Sequence, residues 1–253
     1  ISIEWPGRWA THAAPVAECR AEVRRAHGLP PDCLLGVGVD RLDYTKGIPE
    51  RLLAVERLLE RQPDLRGRFF FLQVGAPSRF VIEAYRRVGD DVAAIASRVN
   101  ARFAVGGKGP IVFLRAHQDP ADVFRIYRAA DVCYVSSLHD GMNLVAKEFV
   151  SARDDARGVL VLSRFTGAGR ELSEALLVNP YDIDEAANAL GAAVRMPVEE
   201  QEQRMRALRA MVAEFNVYRW AGRMLLDATR VRERDRLSVR LADAHRAAGT
   251  DGP

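Results

Sequence analysis

Residues 34–39 read Leu-Leu-Gly-Val-Gly-Val, and the polar segment Asp-Arg-Leu-Asp-Tyr-Thr-Lys-Gly of residues 40–47 follows at once. A short uncharged run that ends in a polar turn is typical of a parallel strand whose two faces are both covered by helices. Residues 69–74 read Phe-Phe-Phe-Leu-Gln-Val and repeat this pattern. The chain is therefore predicted to be built around a parallel sheet.

Short apolar runs and amphipathic stretches alternate along the rest of the sequence. We predict strands at 34–39, 69–74, 111–114, 132–135, 159–162 and 175–178. We predict helices at 15–27, 49–61, 80–103, 121–130, 143–152 and 184–195. The remainder from 198 to about 239 is long, charged and predicted to be helical. Strands that alternate with helices form right-handed βαβ units. This order predicts the α/β class with a doubly wound, Rossmann-like parallel sheet.

We assign residues 31–230 to this domain. Residues 1–30 are interpreted as an irregular arm followed by a helix, and residues 231–253 as a C-terminal tail that is partly disordered. The sequence begins with Ile1 rather than Met. This beginning suggests that the chain is part of a longer protein.

Composition excludes several classes of protein. With 253 residues, 48% of them hydrophobic, the chain can bury a substantial core, and a net charge of +3 is too small to indicate a nucleic-acid partner. The longest uncharged apolar stretch, residues 33–39, is far shorter than the roughly 20 residues of a membrane helix. Three cysteines without a CxxC pair indicate reduced thiols. We therefore expect a cytoplasmic protein without a membrane segment, a disulfide framework or a structural zinc site.

The loops that follow the predicted strands are the candidate ligand sites, because ligands of open α/β sheets bind at the carboxyl ends of the strands. Behind the first strand, Arg41 and Lys46 lie five residues apart before a glycine and a helix. Such a pair suits a diphosphate, since Arg forks across two oxygens and Lys adds a point charge. A solvated loop with an incidental ion pair is an equal alternative. Arg79 ends the loop of the second strand, where an exposed, functionless cation is the simpler interpretation.

The segment behind the fourth strand carries the strongest pattern. Asp140 and Gly141 predict a turn, and Asn143 can cap the helix that follows. Free amides at a helix start bind oxyanions, and Glu148 can bridge the vicinal diol of a ribose. The helix dipole alone would also favour a carboxylate there. The glycine-rich loop at 163–171 does not match GxGxxG, which argues against a dinucleotide-dependent oxidoreductase.

Three motifs together resemble the trehalose-6-phosphate synthase family of retaining glycosyltransferases. They are RLDYTKG at residues 41–47, DGMNLVAKE at 140–148 and VNPYD at 178–182, and the resemblance extends from about residue 34 to 226. It implies the C-terminal, nucleotide-sugar-binding lobe of a two-lobed GT-B fold. Residues 1–4 resemble the segment that enters this lobe from the first one, which makes residues 1–30 an inter-lobe arm and helix. The first lobe, which carries most acceptor contacts, is not part of these 253 residues.

The resemblance also implies roles for individual residues. Arg41 and Lys46 would contact the donor diphosphate, Asp140 would bind the transferred glucose, and these three would be the catalytic residues. Arg79 would bind the phosphate of the acceptor, glucose 6-phosphate, and Gln118 would meet the base. The remaining donor contacts would come from the 140–148 motif: Gly141, Met142, Asn143, Leu144, Val145 and Glu148.

The implied reaction transfers glucose from a nucleoside-diphosphate glucose to glucose 6-phosphate with retention, without a metal or another cofactor. Gln118 and His139 depart from the family pattern, which leaves the base and sugar preference open. A related glycosyltransferase with another acceptor, such as a glucosylglycerol-phosphate synthase or a pseudo-glycosyltransferase, is an alternative. A non-catalytic lobe that binds a nucleotide sugar or a protein partner is another. The partners expected are small molecules, and the resemblance leaves room for a homo-oligomer of the full-length protein.

Lysine usage is a further clue. Only three of the 37 basic residues are lysines, namely Lys46, Lys108 and Lys147. Two of them fall inside the motifs. We interpret Lys46 as functional, because an ammonium beside a diphosphate cannot be replaced by a planar guanidinium without moving oxygens. Lys147 is predicted on the helix surface and Lys108 in a loop.

Overall fold

A computed structural model describes residues 1–11, 13–77 and 83–248. These residues contain a six-stranded sheet in the order β3-β2-β1-β4-β5-β6, in which every neighbouring pair is parallel. The strands are β1 (Leu34–Arg41), β2 (Phe69–Ala76), β3 (Ile111–Leu114), β4 (Val132–Val135), β5 (Val159–Ser163) and β6 (Leu176–Val178). The predicted α/β class and doubly wound parallel sheet are confirmed.

Helices connect these strands. They are α1 (Arg8–Thr11), α2 (Val16–Ala26), α3 (Ile48–Arg61), α4 (Glu83–Phe103), α5 (Pro120–Ala129), α6 (Leu144–Ala152), α7 (Ile183–Arg195), α8 (Val198–Glu214) and α9 (Val217–Ala248). The start predicted for the helix at 80–103 lies outside the described residues.

The region from 198 to about 239 is helical as predicted, and it consists of two helices that meet at residues 215–216. The side chain of Asn216 accepts hydrogen bonds from the amides of Tyr218 and Arg219, at 3.0 and 3.1 Å, and thereby caps the start of α9. Asparagine favours this position because its short side chain satisfies amides that a helix start leaves free.

The sheet has an apolar core on each face. Leu35 and Val37 of β1 belong to the core beneath α2, α5, α6 and α8, whereas Phe69 and Phe71 of β2 belong to the core beneath α3, α4 and α7. All four side chains are fully buried. Burying each side chain of this size stabilises the fold by roughly 1.5–3 kcal/mol. This two-sided burial explains why the strand sequences are almost free of charges.

The chain reverses direction at β1. It proceeds from β1 outward to β2 and β3, then returns to place β4 on the other side of β1. The loops behind β1 and β4 consequently leave the sheet on opposite sides, and a crevice opens between them at the carboxyl ends of the strands. Among the described helices, none contains a segment that is long and apolar enough to cross a membrane.

Core packing leads to a first prediction. Leu162→Ala, at a fully buried position in β5, should lower the free energy of unfolding by about 2–5 kcal/mol because it removes apolar contacts and leaves a cavity. Leu225→Ala, at a position in α9 that is 67% exposed, is the matched control and should change it by less than about 0.5 kcal/mol. Urea unfolding followed by circular dichroism measures both values, and equal losses would contradict the assigned core.

Candidate functional site

The loop behind β1 is folded by its own side chains. The carboxylate of Asp43 accepts hydrogen bonds from the amide and the hydroxyl of Thr45, both at 2.9 Å, and so forms a tight turn that ends at Lys46. Gly47 follows with φ of +61°, a conformation that glycine adopts without steric cost. A Cβ atom at Gly47 would also lie 2.3 Å from the carbonyl oxygen of Ser136. Glycine therefore allows this loop to lie against the loop behind β4.

The loop behind β4 leads into α6. Asn143 has φ of +81°, and its side-chain oxygen accepts a hydrogen bond from the Ala146 amide at 2.9 Å, which confirms the predicted cap. The loop behind β5 supports it from the other side. Hydrogen bonds join Asp140 to Phe165 and Gly167, and a Cβ atom at Gly167 would lie 2.1 Å from the carbonyl oxygen of Gly141. The glycine-rich loop therefore positions Asp140, a role that the sequence analysis missed.

Lys46 and Asp140 form an ion pair that joins the loop behind β1 to the loop behind β4. Their charged atoms lie 2.6 Å apart, and each side chain is 16% exposed. Asn143 and Ser137 also donate to the same carboxylate oxygen, at 3.2 and 3.4 Å. Burial tends to raise the pKa of Asp140, but the Lys46 ammonium and the Asn143 amide outweigh it and hold this pKa below its ordinary value. The carboxylate is therefore kept ionised and fixed in orientation.

Glu148 provides a second carboxylate, one turn into α6. Its side chain is half-buried, and the hydroxyl of the buried Tyr127 donates to it at 3.3 Å. Burial raises the pKa of Glu148, the hydrogen bond from Tyr127 opposes this rise, and the charge of Asp40 adds to it. The two carboxylates thus differ: that of Asp140 is held ionised by a cation, whereas that of Glu148 is less acidic than usual.

A cleft of about 440 Å³ lies beside these groups. Arg41 is exposed at its edge and, within the described part of the chain, has no carboxylate partner. Gln118, Val145 and Glu148 line its walls, as does Asp40, whose carboxyl group lies within the electrostatic influence of Lys46 and Asp140. Several positions that the sequence analysis singled out therefore surround one space.

The arm at the start of the chain closes part of the same cleft. Glu4, Arg8 and Trp9 line it, and the guanidinium of Arg8 lies 4.7 Å from the centre of the Trp9 ring. The sequence of this arm predicts an irregular segment without a site residue. No periodic signal marks it, so its position could be found only from the folded chain.

Most of the remaining predicted site residues lie at the start of α6. The motif residues Gly141, Met142 and Leu144 lie in the loop behind β4 or at the first position of α6, and Asn143 is the buried cap. Arg79, the predicted acceptor-binding cation, lies outside the described residues. A search of the described part of the chain finds no cluster of three or more histidine, cysteine or carboxylate side chains that could hold a metal ion.

The prediction that Lys147 lies on the helix surface is wrong. Its side chain is 1% exposed, and its ammonium donates to Glu171 at 2.6 Å and to the hydroxyl of Ser2 at 3.2 Å. Both partners come from segments distant in sequence, so the local helical pattern could not reveal that this cation is buried and paired. Lys147 therefore joins α6 to the arm and to the segment behind β5.

A doubly wound sheet whose switch point carries cations, a capped helix start and oriented carboxylates has the construction of a nucleotide-binding α/β domain. The chain belongs to glycosyltransferase family 20, whose model matches residues 10–230. The resemblance inferred from the three motifs is therefore confirmed.

Curated relatives of this chain are trehalose-6-phosphate synthases. The chain is 43% identical over 197 residues to the trehalose-6-phosphate synthase of Klebsiella pneumoniae subsp. pneumoniae, covering 78% of this chain and 42% of the relative. It is 40% identical over 220 residues to the Salmonella typhimurium (strain LT2) enzyme, covering 87% of this chain and 45% of the relative. The chain therefore spans less than half the length of these relatives.

Solved structures with the same fold include trehalose-phosphate synthases. An α,α-trehalose-phosphate synthase (UDP-forming) from Burkholderia xenovorans in complex with glucose-6-phosphate is 39% identical, with a TM-score of 0.83 over 90% of this chain and 50% of that one. The E. coli protein bound with UDP-2-fluoro glucose is 38% identical, with a TM-score of 0.82 and the same coverage. The expected fold, one Rossmann-like lobe of a GT-B protein, is confirmed.

The ion pair leads to a second prediction. Lys46→Met should raise the pKa of Asp140, because burial continues to disfavour the carboxylate while the ammonium that opposed it is lost. A carboxyl group with a lowered pKa stabilises the fold above its unfolded pKa, and this contribution is lost as the pH falls through the folded value. The variant should therefore lose stability at neutral pH and less at acidic pH.

Carbon-detected NMR titration of the aspartate carboxyl groups measures this pKa. Lys108→Met is the control, because Lys108 donates to the carbonyl of His27 at 2.6 Å, away from the crevice. If Asp140 titrated identically in the wild-type protein and in Lys46→Met, the ion pair would not be what sets its pKa.

Proposed function

We propose that this chain is the donor-binding part of an α,α-trehalose-6-phosphate synthase. The reaction would transfer glucose from UDP-glucose to glucose 6-phosphate with retention at the anomeric carbon. The observation that carries the proposal is the placement of Lys46 and Asp140 in one ion pair, with Arg41 at the edge of the adjoining cleft. The names of the relatives and their bound UDP-2-fluoro glucose and glucose-6-phosphate support the choice of substrates.

The two cations are suited to a diphosphate leaving group. A lysine ammonium has three N–H donors, and Lys46 uses one of them on Asp140, which leaves two for phosphate oxygens. Arg41 adds a planar fork that can span two oxygens. Negative charge grows on the diphosphate as the glycosidic bond breaks, so contacts to it strengthen in the transition state and accelerate the reaction. We propose that these cations serve in place of a metal ion.

The carboxylates are suited to hydroxyl groups. Asp140 is held by Lys46, Asn143 and Ser137, and its remaining lone pairs can accept a hydrogen bond from a hydroxyl of the transferred glucose. Glu148 borders the cleft and can accept from the ribose diol. The amides of Leu144 and Val145 at the start of α6 would bind phosphate oxygens.

Two contacts complete the substrate set. Gln118, in the cleft wall, is the candidate contact of the base, and Arg79 is proposed to bind the phosphate of glucose 6-phosphate. A cytoplasmic location is part of the same proposal, supported by three buried cysteines that form no disulfide.

A third prediction tests donor binding directly. Lys46→Ala and Arg41→Ala should each weaken UDP-glucose binding about 10- to 100-fold, since a charge-assisted hydrogen bond contributes about 1.5–3 kcal/mol. Lys108→Ala is the matched control and should bind with wild-type affinity. Isothermal titration calorimetry with UDP-, GDP- and ADP-glucose measures affinity and base preference together.

Wild-type affinity in both site variants would refute the proposed role of the cations. A wild-type protein that binds none of the three nucleotide sugars would refute donor binding itself.

A further inference from the structure

A fully buried arginine lies beneath the crevice. Arg51, in the first turns of α3, has no exposed surface. Its guanidinium donates from Nη2 to Asp40 at 2.5 Å, from Nη1 to Gln73 at 3.0 Å and from Nε to the hydroxyl of Ser136 at 2.9 Å. A Cβ atom at Gly38 would lie 2.4 Å from Nη1, so the guanidinium lies directly against the backbone of β1. The N–H groups of this planar guanidinium therefore point to three different partners, and their directions are fixed.

Two of these partners connect Arg51 to the backbone segments that carry the two candidate diphosphate cations, Arg41 and Lys46. Asp40 is the residue before Arg41 in β1. The single hydroxyl hydrogen of Ser136 is shared between the carbonyl oxygens of Lys46 and Gly47, which lie at 3.0 and 2.7 Å from Oγ. The same guanidinium therefore contacts, through one carboxylate and one hydroxyl, the backbone segments that carry Arg41 and Lys46. None of the contacts reaches the solvent-exposed part of either cation.

Burial makes this arrangement rigid. A charge without solvent needs partners on its donors, so the guanidinium cannot leave Asp40 or Ser136 without exposing an unsatisfied group. Burial raises the pKa of Asp40, and Arg51 is the strongest opposing influence. Movement of the loop behind β1 relative to the end of β1 would therefore break a buried hydrogen bond.

We propose that Arg51 is a positioning residue for the donor site. Its buried guanidinium fixes the separation of Arg41 and Lys46 so that both can contact one diphosphate. This inference rests on the proposed function. Arg51 itself does not border the cleft, so its effect on the diphosphate is transmitted by Asp40 and Ser136.

The chain contains a matched comparison. Arg24, in α2, is also buried, donates to Asp131 at 3.1 Å and donates to the carbonyl oxygens of Cys33 and Ala129, at 2.8 and 3.1 Å. These contacts lie at the amino end of the sheet, because Cys33 immediately precedes β1 and Asp131 immediately precedes β4. A buried arginine with a similar set of contacts is thus found at the end of the sheet away from the crevice.

The experiment compares Arg51→Lys with Arg24→Lys by calorimetric titration with UDP and with UMP. Lysine keeps the charge and the pair with aspartate but cannot contact the other partners at the same time. Arg51→Lys should weaken UDP binding about tenfold and UMP binding less than about threefold, because a diphosphate needs both cations in register. Arg24→Lys should leave the ratio of UDP to UMP affinity unchanged, although it lowers the melting temperature.

Ser136→Ala provides an independent variant if Arg51→Lys does not fold. It removes the link to the carbonyls of Lys46 and Gly47, and it should lower the ratio of UDP to UMP affinity about threefold or more. A folded Arg51→Lys or Ser136→Ala protein with the wild-type ratio would overturn the inference while leaving the proposed function intact. A wild-type protein that does not bind UDP would overturn both.

Discussion

The burial of β1 on both faces is the constraint on which the rest of the structure depends. A charge that lies against the covered part of this strand is shielded from water and must be paired, whereas Arg41 at its carboxyl end is exposed. Charges accordingly occur at its two ends, where Arg24 meets Asp131 and Arg51 meets Asp40. Between these pairs the strand is apolar. Gly38 has no Cβ atom, so the Arg51 guanidinium can lie directly against the backbone of β1. The pair at the carboxyl end lies directly beneath the proposed donor site.

Close approach of loops is the second requirement of the site. Gly47 and Gly167 each stand where a Cβ atom would meet a carbonyl oxygen of the loop behind β4. That loop is therefore held from two sides, by the turn that carries Lys46 and by the glycine-rich segment behind β5. The result is an Asp140 carboxylate whose orientation is fixed by the fold. Preorganised charge of this kind is what electrostatic catalysis requires, because little reorganisation is then needed during the reaction.

Much of this could be predicted from the sequence, and what could not depends on distant contacts. Apolar runs predicted the strands, and Asn143 predicted the start of α6, because both signals are local. The ion pair of Lys46 with Asp140 joins residues 94 positions apart, and no local pattern predicts it. The burial of Lys147 was missed for the same reason. The arm was missed because it becomes part of the cleft only through packing against the sheet domain.

The three lysines share one structural feature. Each of the three lysines makes one short hydrogen bond of 2.6 Å: Lys46 to Asp140, Lys108 to the carbonyl of His27 and Lys147 to Glu171. Lys147 also donates to the hydroxyl of Ser2 at 3.2 Å. A guanidinium is wider and has its donors in one plane, so it cannot approach a single oxygen in a confined space as an ammonium does. Elsewhere, as at Arg51, several acceptors lie around one cation and the planar fork is the better match. The short contact of Lys46 with one oxygen of Asp140 therefore gives a structural reason for lysine at this position, beside its proposed role at the diphosphate.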